Sequence, residues 1–251
     1  MRIERSILSP AASALGAPEM ALPVVLVAEQ YGPFSGLGPV GIALVIAFLV
    51  ITLGLHEAAH GWVALQCGDP TARDLGRISL NPLVHIDPFM TVLLPAILFY
   101  FAGFIFGGAK PVPVAYHRLR NPLRDMMLVA LAGPLTNFLA AIFFLAAYKA
   151  AVEIGPYGPE QVLPRVLFAS MYVNVLLAVF NLIPVPPLDG SRVMRWLLPQ
   201  SLREPYDVLE RFGILIVVLL FYAVPGFSVF LGSGLNAAYR AIDFLTGGSW
   251  S

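Results

Sequence analysis

The chain has 251 residues, 58% of them hydrophobic and 12% charged, with a mean hydropathy of +0.80. Soluble domains carry about 25% charged residues, so this composition excludes an ordinary soluble globule and indicates a polytopic helical membrane protein whose first partner is the lipid bilayer. Fifteen basic residues balance fifteen acidic ones, which leaves no electrostatic footprint for nucleic acid, and a single cysteine, Cys67, excludes an intrachain disulfide.

In chain order, residues 1–38 begin with Arg2 and Arg5 before an apolar stretch, as a signal peptide does, but Pro10, Pro18, Glu19 and Pro23 interrupt it. They read as a flexible or interface-lying tail. Residues 39–251 read as one membrane-embedded domain with its core at 40–205. The first firm spanning helix is 40–66, and it carries His56-Glu57-Ala58-Ala59-His60. Residues i and i+4 share a helix face, so the two imidazoles point the same way with Glu57 beside them. That spacing suits one zinc ion, with the glutamate next to the metal-bound water. An acidic side chain at the bilayer centre costs of order a few kcal/mol, which argues that these residues have a chemical role. His60 lies about 9 Å before the end of the helix, so the pair sits nearer its C-terminal membrane face.

Residues 67–88 are polar and turn-rich, with Gly68-Asp69-Pro70, Asn81-Pro82 and Asp87-Pro88. His85 lies here without helical spacing to the pair. It reads as a loop or supporting histidine, with a ligand role left open. Residues 89–107 are apolar but broken by Pro95, Gly103 and Gly107, and either cross the membrane or form a re-entrant hairpin. The prolines of Lys110-Pro111-Val112-Pro113-Val114 favour extended backbone, so this stretch reads as an edge strand or extended loop. Residues 117–124 are basic.

A second spanning helix, 126–148, carries Ala132-Gly133-Pro134 and Asn137. Gly133 permits close helix contact, and Asn137 reads as an interhelical hydrogen-bonding residue. A third, 165–183, runs into Asn181-Leu182-Ile183-Pro184-Val185-Pro186-Pro187-Leu188-Asp189-Gly190. Three prolines within four residues forbid regular helix. Unwound backbone at membrane depth requires a polar cavity or burial in protein. Asp189 closes that segment, either as the acid of a surface Asp-Gly turn or as a third metal ligand; the upstream motif favours the ligand. Residues 191–211 are polar and arginine-rich, and apolar segments at 212–224 and 227–246 flank Pro225-Gly226.

With these motifs in hand, the chain resembles the site-2 protease family, the intramembrane zinc metalloproteases of peptidase family M50. The likeness covers roughly residues 40–205 through His56–His60, Ala132-Gly133-Pro134 and Asn181–Gly190. It implies His56, His60 and Asp189 as ligands of one zinc ion per chain and Glu57 as the catalytic glutamate. It implies Asn181 as a polar group near the site that assists substrate or transition-state binding; Asn137 and His85 are further supporting candidates. The stretches 81–88 and 109–114 resemble a compact bacterial subgroup, and the chain leaves no room for the PDZ or CBS domains of larger members.

The expected fold is therefore an all-α polytopic membrane protein. It has about five to six membrane segments and a re-entrant or extended β-like loop near the active site. The expected activity is hydrolysis of membrane-anchored protein substrates in or near their spanning helices, in the cell membrane and nearer its cytoplasmic face. A metal-ion transporter using the same His/Asp cluster is the alternative, because ion pathways also use histidines and carboxylates on membrane helices. Transport favours ligands spaced along a path; three ligands gathered beside a free glutamate favour hydrolysis.

Overall fold

The computed structural model describes residues 33–93, 97, 100, 107–224 and 226–248. The expected N-terminal tail thus falls mostly outside the described residues, as do 94–96, 98–99 and 101–106 of the expected apolar segment 89–107. Regular structure among the described residues is entirely helical.

Helix α1 spans Gly38–Gln66, with Pro39 in its first turn, where a missing N–H costs nothing. Its C-terminus closes with Gly68 N–H donating to Leu65 O at 3.1 Å and Asp69 N–H to Ala64 O at 2.9 Å. This paired closure places Gly68 at φ +109°, a conformation that favours glycine. A four-residue turn, α2 (Thr71–Asp74), a tight 3₁₀ turn at Pro82–His85 and a wider π-helical turn at Pro88–Leu93 follow. Residues 107–115 run without regular structure. Helix α3 (Pro122–Lys149) opens with Pro122 in its first turn, and Asp125 accepts the Asn121 N–H at 2.7 Å to cap it. Helix α4 covers Val162–Asn181. Two short helices, α5 (Gly190–Leu197) and α6 (Gln200–Val208), lead to α7 (Gly213–Ala223) and α8 (Phe227–Leu245), with Gly226 at φ +84° between the last two.

Among the described residues, three helices are long and apolar enough to cross a membrane: Gly38–Gln66, Pro122–Ile154 and Val162–Asn181. The core lies where they meet. Phe144 and Leu145 of α3, Met171 and Val175 of α4 and Ile242 of α8 form its largest cluster. Leu37, Val45, Val166 and Ala169 fasten α1 to α4. Ile183, Leu188, Val217 and Phe227 form a third cluster, which seats the irregular 182–189 segment against α7 and α8. The Lys149 ammonium lies 2.8 Å from Asp243 and ties the end of α3 to α8.

One contact fixes the path of the chain between α1 and α3. Arg120 N–H donates to Cys67 O at 3.0 Å, so the excursion that leaves the end of α1 returns to it before α3 begins.

Candidate metal centre

His56 and His60 lie on one face of α1, both buried, with their Nε2 atoms 3.1 Å apart. Asp189, the residue before α5, reaches them from the other half of the chain. Its Oδ2 is 3.3 Å from His56 Nε2 and its Oδ1 3.5 Å from His60 Nε2. Four ligands about 2.0–2.1 Å from a tetrahedral zinc would lie about 3.3 Å from one another. The three separations bracket that spacing. Asp189 Oδ2 is also buried without a hydrogen-bond partner, and a lone carboxylate oxygen in such a place is costly unless something positive meets it. The donor set, its spacing and the orphaned oxygen fit a metal ion. Among the described residues this is the one group of three or more His, Cys, Asp or Glu residues able to hold one.

The remaining ring nitrogens are anchored. His60 Nδ1–H donates to Val129 O of α3 at 2.7 Å. His56 Nδ1–H donates to Asn137 Oδ1 at 2.6 Å. Asn137 in turn donates from Nδ2 to Asn174 Oδ1 at 3.3 Å, and Asn174 donates from Nδ2 to Ser170 O at 2.9 Å. This relay, buried throughout, runs from α1 through α3 into α4. Each outer hydrogen bond fixes the tautomer that leaves Nε2 free to bind a metal. Gly133 faces the same point: a Cβ there would lie 2.5 Å from His56 Nε2 and His60 Nε2. The missing side chain leaves open the space onto which both imidazoles converge.

Glu57 stands outside the metal cluster. Its Oε2 accepts the Val112 N–H at 3.0 Å, so the extended 107–115 stretch passes directly beside it. That stretch is held elsewhere too. Lys110 N–H donates to His85 O at 2.7 Å, and the Arg77 guanidinium donates to Lys110 O at 2.7 Å.

The Asp189 segment is clamped from the polar side. Arg192 pairs with Glu210 at 2.5 Å and Arg195 with Asp207 at 2.8 Å. Tyr206 donates its hydroxyl to Pro184 O at 2.9 Å; burial pushes that hydroxyl up to about 12, so it stays protonated and able to donate. Arg195 also lies over the Tyr116 ring, 5.8 Å from its centroid.

The structure thus brings His56, His60 and Asp189 together, sets Glu57 alongside and puts Asn137 directly behind His56. His85 is buried and bonds through Nε2 to Ser79 O at 3.0 Å; it is not among the converging metal-binding groups. Asn181 donates to Leu177 O of its own helix at 3.1 Å and stands outside the amide relay. Asn174, which the sequence reading did not single out, occupies that relay. Its signal was the one that marked Asn137: an amide side chain inside an apolar helix.

Comparison with known proteins gives a consistent result. The family model described as peptidase family M50 matches residues 149–224, the part that contains Asp189. YwhC of Bacillus subtilis, a protein named as a zinc metalloprotease, is 36% identical over 77% of this chain and 86% of its own length. Rip2 of Mycolicibacterium smegmatis, named likewise, is 29% identical over 78% of this chain and 72% of its own. Rip2 of Mycobacterium tuberculosis is 27% identical over 72% of this chain and 67% of its own. No solved structure matches the chain.

Proposed function

The chain belongs to peptidase family M50 and is a metalloprotease, and from that premise we propose that it cuts membrane-anchored proteins in or near their spanning helices with one zinc ion per chain. The observation that carries the reading is the convergence of His56, His60 and Asp189 beside a glutamate that does not join them. Zinc bound there supplies Lewis acidity and makes water acidic enough to ionise near pH 7.

The chain's own residues do the rest. Glu57 accepts the proton of the attacking water and delivers it to the leaving nitrogen. Val112 N–H holds the glutamate's other oxygen and aims it. Asn137 keeps His56 in its metal-binding tautomer, and Val129 O does the same for His60. Asn181 and His85 support the site at one remove from the metal, His85 through its main-chain O, which accepts from the Lys110 N–H of the extended stretch. A helical peptide bond is hydrogen-bonded and sterically covered, so the substrate must unwind locally; the extended Lys110–Ala115 stretch, held in place through its Lys110, Val112 and Ala115 N–H groups, offers its remaining main-chain groups, chiefly carbonyls, to an added strand.

Several observations support a multi-pass arrangement with the site towards the cytoplasm. Three helices among the described residues are long and apolar enough to span. The Arg120–Cys67 bond joins the end of α1 to the start of α3, which supports a re-entrant or interfacial course for 89–107. Lys110, Arg118, Arg120, Arg124, Arg192, Arg195, Arg203 and Arg211 then share one side, cytoplasmic by the positive-inside rule. The transporter alternative gains no support from the relatives, which are named for proteolysis.

Two variants, purified in parallel, test the assignment. Glu57→Gln should keep zinc near one per chain while cleavage of a membrane substrate falls by the roughly 10²-fold to 10⁴-fold that general-base catalysis supplies. Asp189→Ala should lose zinc and cleavage together. Undiminished cleavage by Glu57→Gln would sink the mechanism.

A further inference from the structure

Asp69 is a fully buried carboxylate that forms no ion pair among the described residues. A buried carboxylate is tolerated only when its oxygens are well hydrogen-bonded, and here the two oxygens have separate tasks. Oδ1 accepts from the Thr71 N–H at 3.0 Å and the Thr71 hydroxyl at 2.5 Å, closing the α2 turn. Oδ2 accepts from Ala115 N–H at 2.6 Å, across a large separation in sequence. Asp69 is itself locked to α1 through its N–H on Ala64 O. The carboxylate therefore carries the position of the histidine-bearing helix to the far end of the extended stretch whose middle residue, Val112, holds Glu57.

We infer that Asp69 is a positioning residue that sets the register of the 109–115 stretch over Glu57, and with it which peptide bond of the substrate is cut. The inference rests on the reading that a substrate strand pairs with this stretch. One residue along a strand is about 3.3 Å, far more than a scissile carbonyl can stray from an attacking water. A stretch fastened at both ends presents one bond. A stretch released at Ala115 presents its neighbours as well.

Asp69→Asn isolates the second oxygen. The amide oxygen still accepts from Thr71, but its NH₂ group faces the Ala115 N–H, donor against donor. Thr71→Val is the counterpart, removing one bond to Oδ1 and leaving the Oδ2 bond intact. With the zinc-loaded full chain and a model membrane substrate, products are sized by mass spectrometry. The wild-type chain and Thr71→Val should cut at the same predominant bond. Asp69→Asn, with zinc still at one per chain, should spread its cuts to neighbouring bonds. A merely destabilised enzyme would cut the original bond more slowly. Cleavage by Asp69→Asn confined to the wild-type bond, at whatever rate, overturns the inference and leaves the protease reading intact. Absence of cleavage by zinc-loaded wild-type protein brings down that reading, and the inference with it. If Asp69→Asn does not fold, amide exchange resolved to single residues in the wild-type chain decides. The Ala115 amide should exchange as slowly as the amides that close α1, and exchange at the rate of unprotected coil overturns the inference.

Discussion

Asn137 accepts from His56 across the α1–α3 interface at 2.6 Å, and it is itself held by Asn174 on α4. Three helices thus share the task of orienting one imidazole. Replacing such an outer partner typically costs 10-fold to 100-fold in metal affinity. Asn137→Ala should weaken zinc binding by about that factor in a chelator competition while leaving the metal stoichiometry at saturation unchanged. Asn174→Ala should act in the same direction and more weakly, because Asn137 keeps its contact with His56. Equal zinc affinity for wild type and Asn137→Ala would show that the relay is structural only.

Gly133 makes a sharper test, because its substitution acts directly on the two imidazoles. Alanine is favoured over glycine in a helix by about 1 kcal/mol, which offsets the crowding of its Cβ by the following Pro134. Its methyl group would lie 2.5 Å from both Nε2 atoms. The variant should insert and fold yet bind no zinc, as read by metal analysis of the purified protein. Full zinc occupancy with normal cleavage would show that the metal sits elsewhere.

The bond between Arg120 and Cys67 predicts topology. With Cys67 replaced by serine, single cysteines introduced at positions 75 and 120 should react with an impermeant thiol reagent from the same side of a sealed vesicle. Labelling from opposite sides would require residues 89–107 to cross completely and would refute the re-entrant course.

Asp69 predicts a dependence on acidity. Burial opposes its charge, but the hydrogen bonds from Thr71 and Ala115, with Arg118 nearby, hold the carboxyl below the ordinary carboxylate range. A carboxylate that is more acidic when folded than when unfolded stabilises the fold fully above its unfolded value, about 3.9. That stabilisation fades as pH falls through the lower folded value. The thermal-stability gap between wild type and Asp69→Asn should therefore be constant from neutral pH down to about pH 4 and close only in stronger acid. A gap that vanishes already near pH 6 would mean that a different group is titrating.

How much of this was legible in the sequence differs from residue to residue. His56, Glu57 and His60 were legible because helical periodicity alone places them together. The apolar runs near 40–66, 126–148 and 165–183 were legible because backbone at membrane depth must satisfy its own hydrogen bonds; the helices begin a few residues earlier, and the third ends at Asn181, short of 183, where the chain turns towards its prolines. Asp189 was legible only in combination, since no periodicity links it to α1 and its approach depends on the way α4, the 182–189 segment and α5 fold back. Asn174 was not singled out, because a lone amide in an apolar helix does not say which neighbour it meets; that is settled by how α3 rotates against α4. The grip of Val112 and Ala115 was hidden for a related reason. Main-chain N–H groups look alike in any sequence, and only tertiary structure shows that these two donate to Glu57 and Asp69.

The meeting of Cys67 and Arg120 gives the chain a seam. Between them the chain leaves and rejoins the same pair of helix ends, while the converging His56, His60 and Asp189 all lie outside that detour, in α1 and just ahead of α5. Exchanging that detour between relatives leaves His56, His60 and Asp189 in their own scaffold. Inheritance and engineering therefore have a natural unit for altering what meets the site while its metal-facing side chains stay in place, provided the incoming stretch keeps the N–H that Val112 offers Glu57.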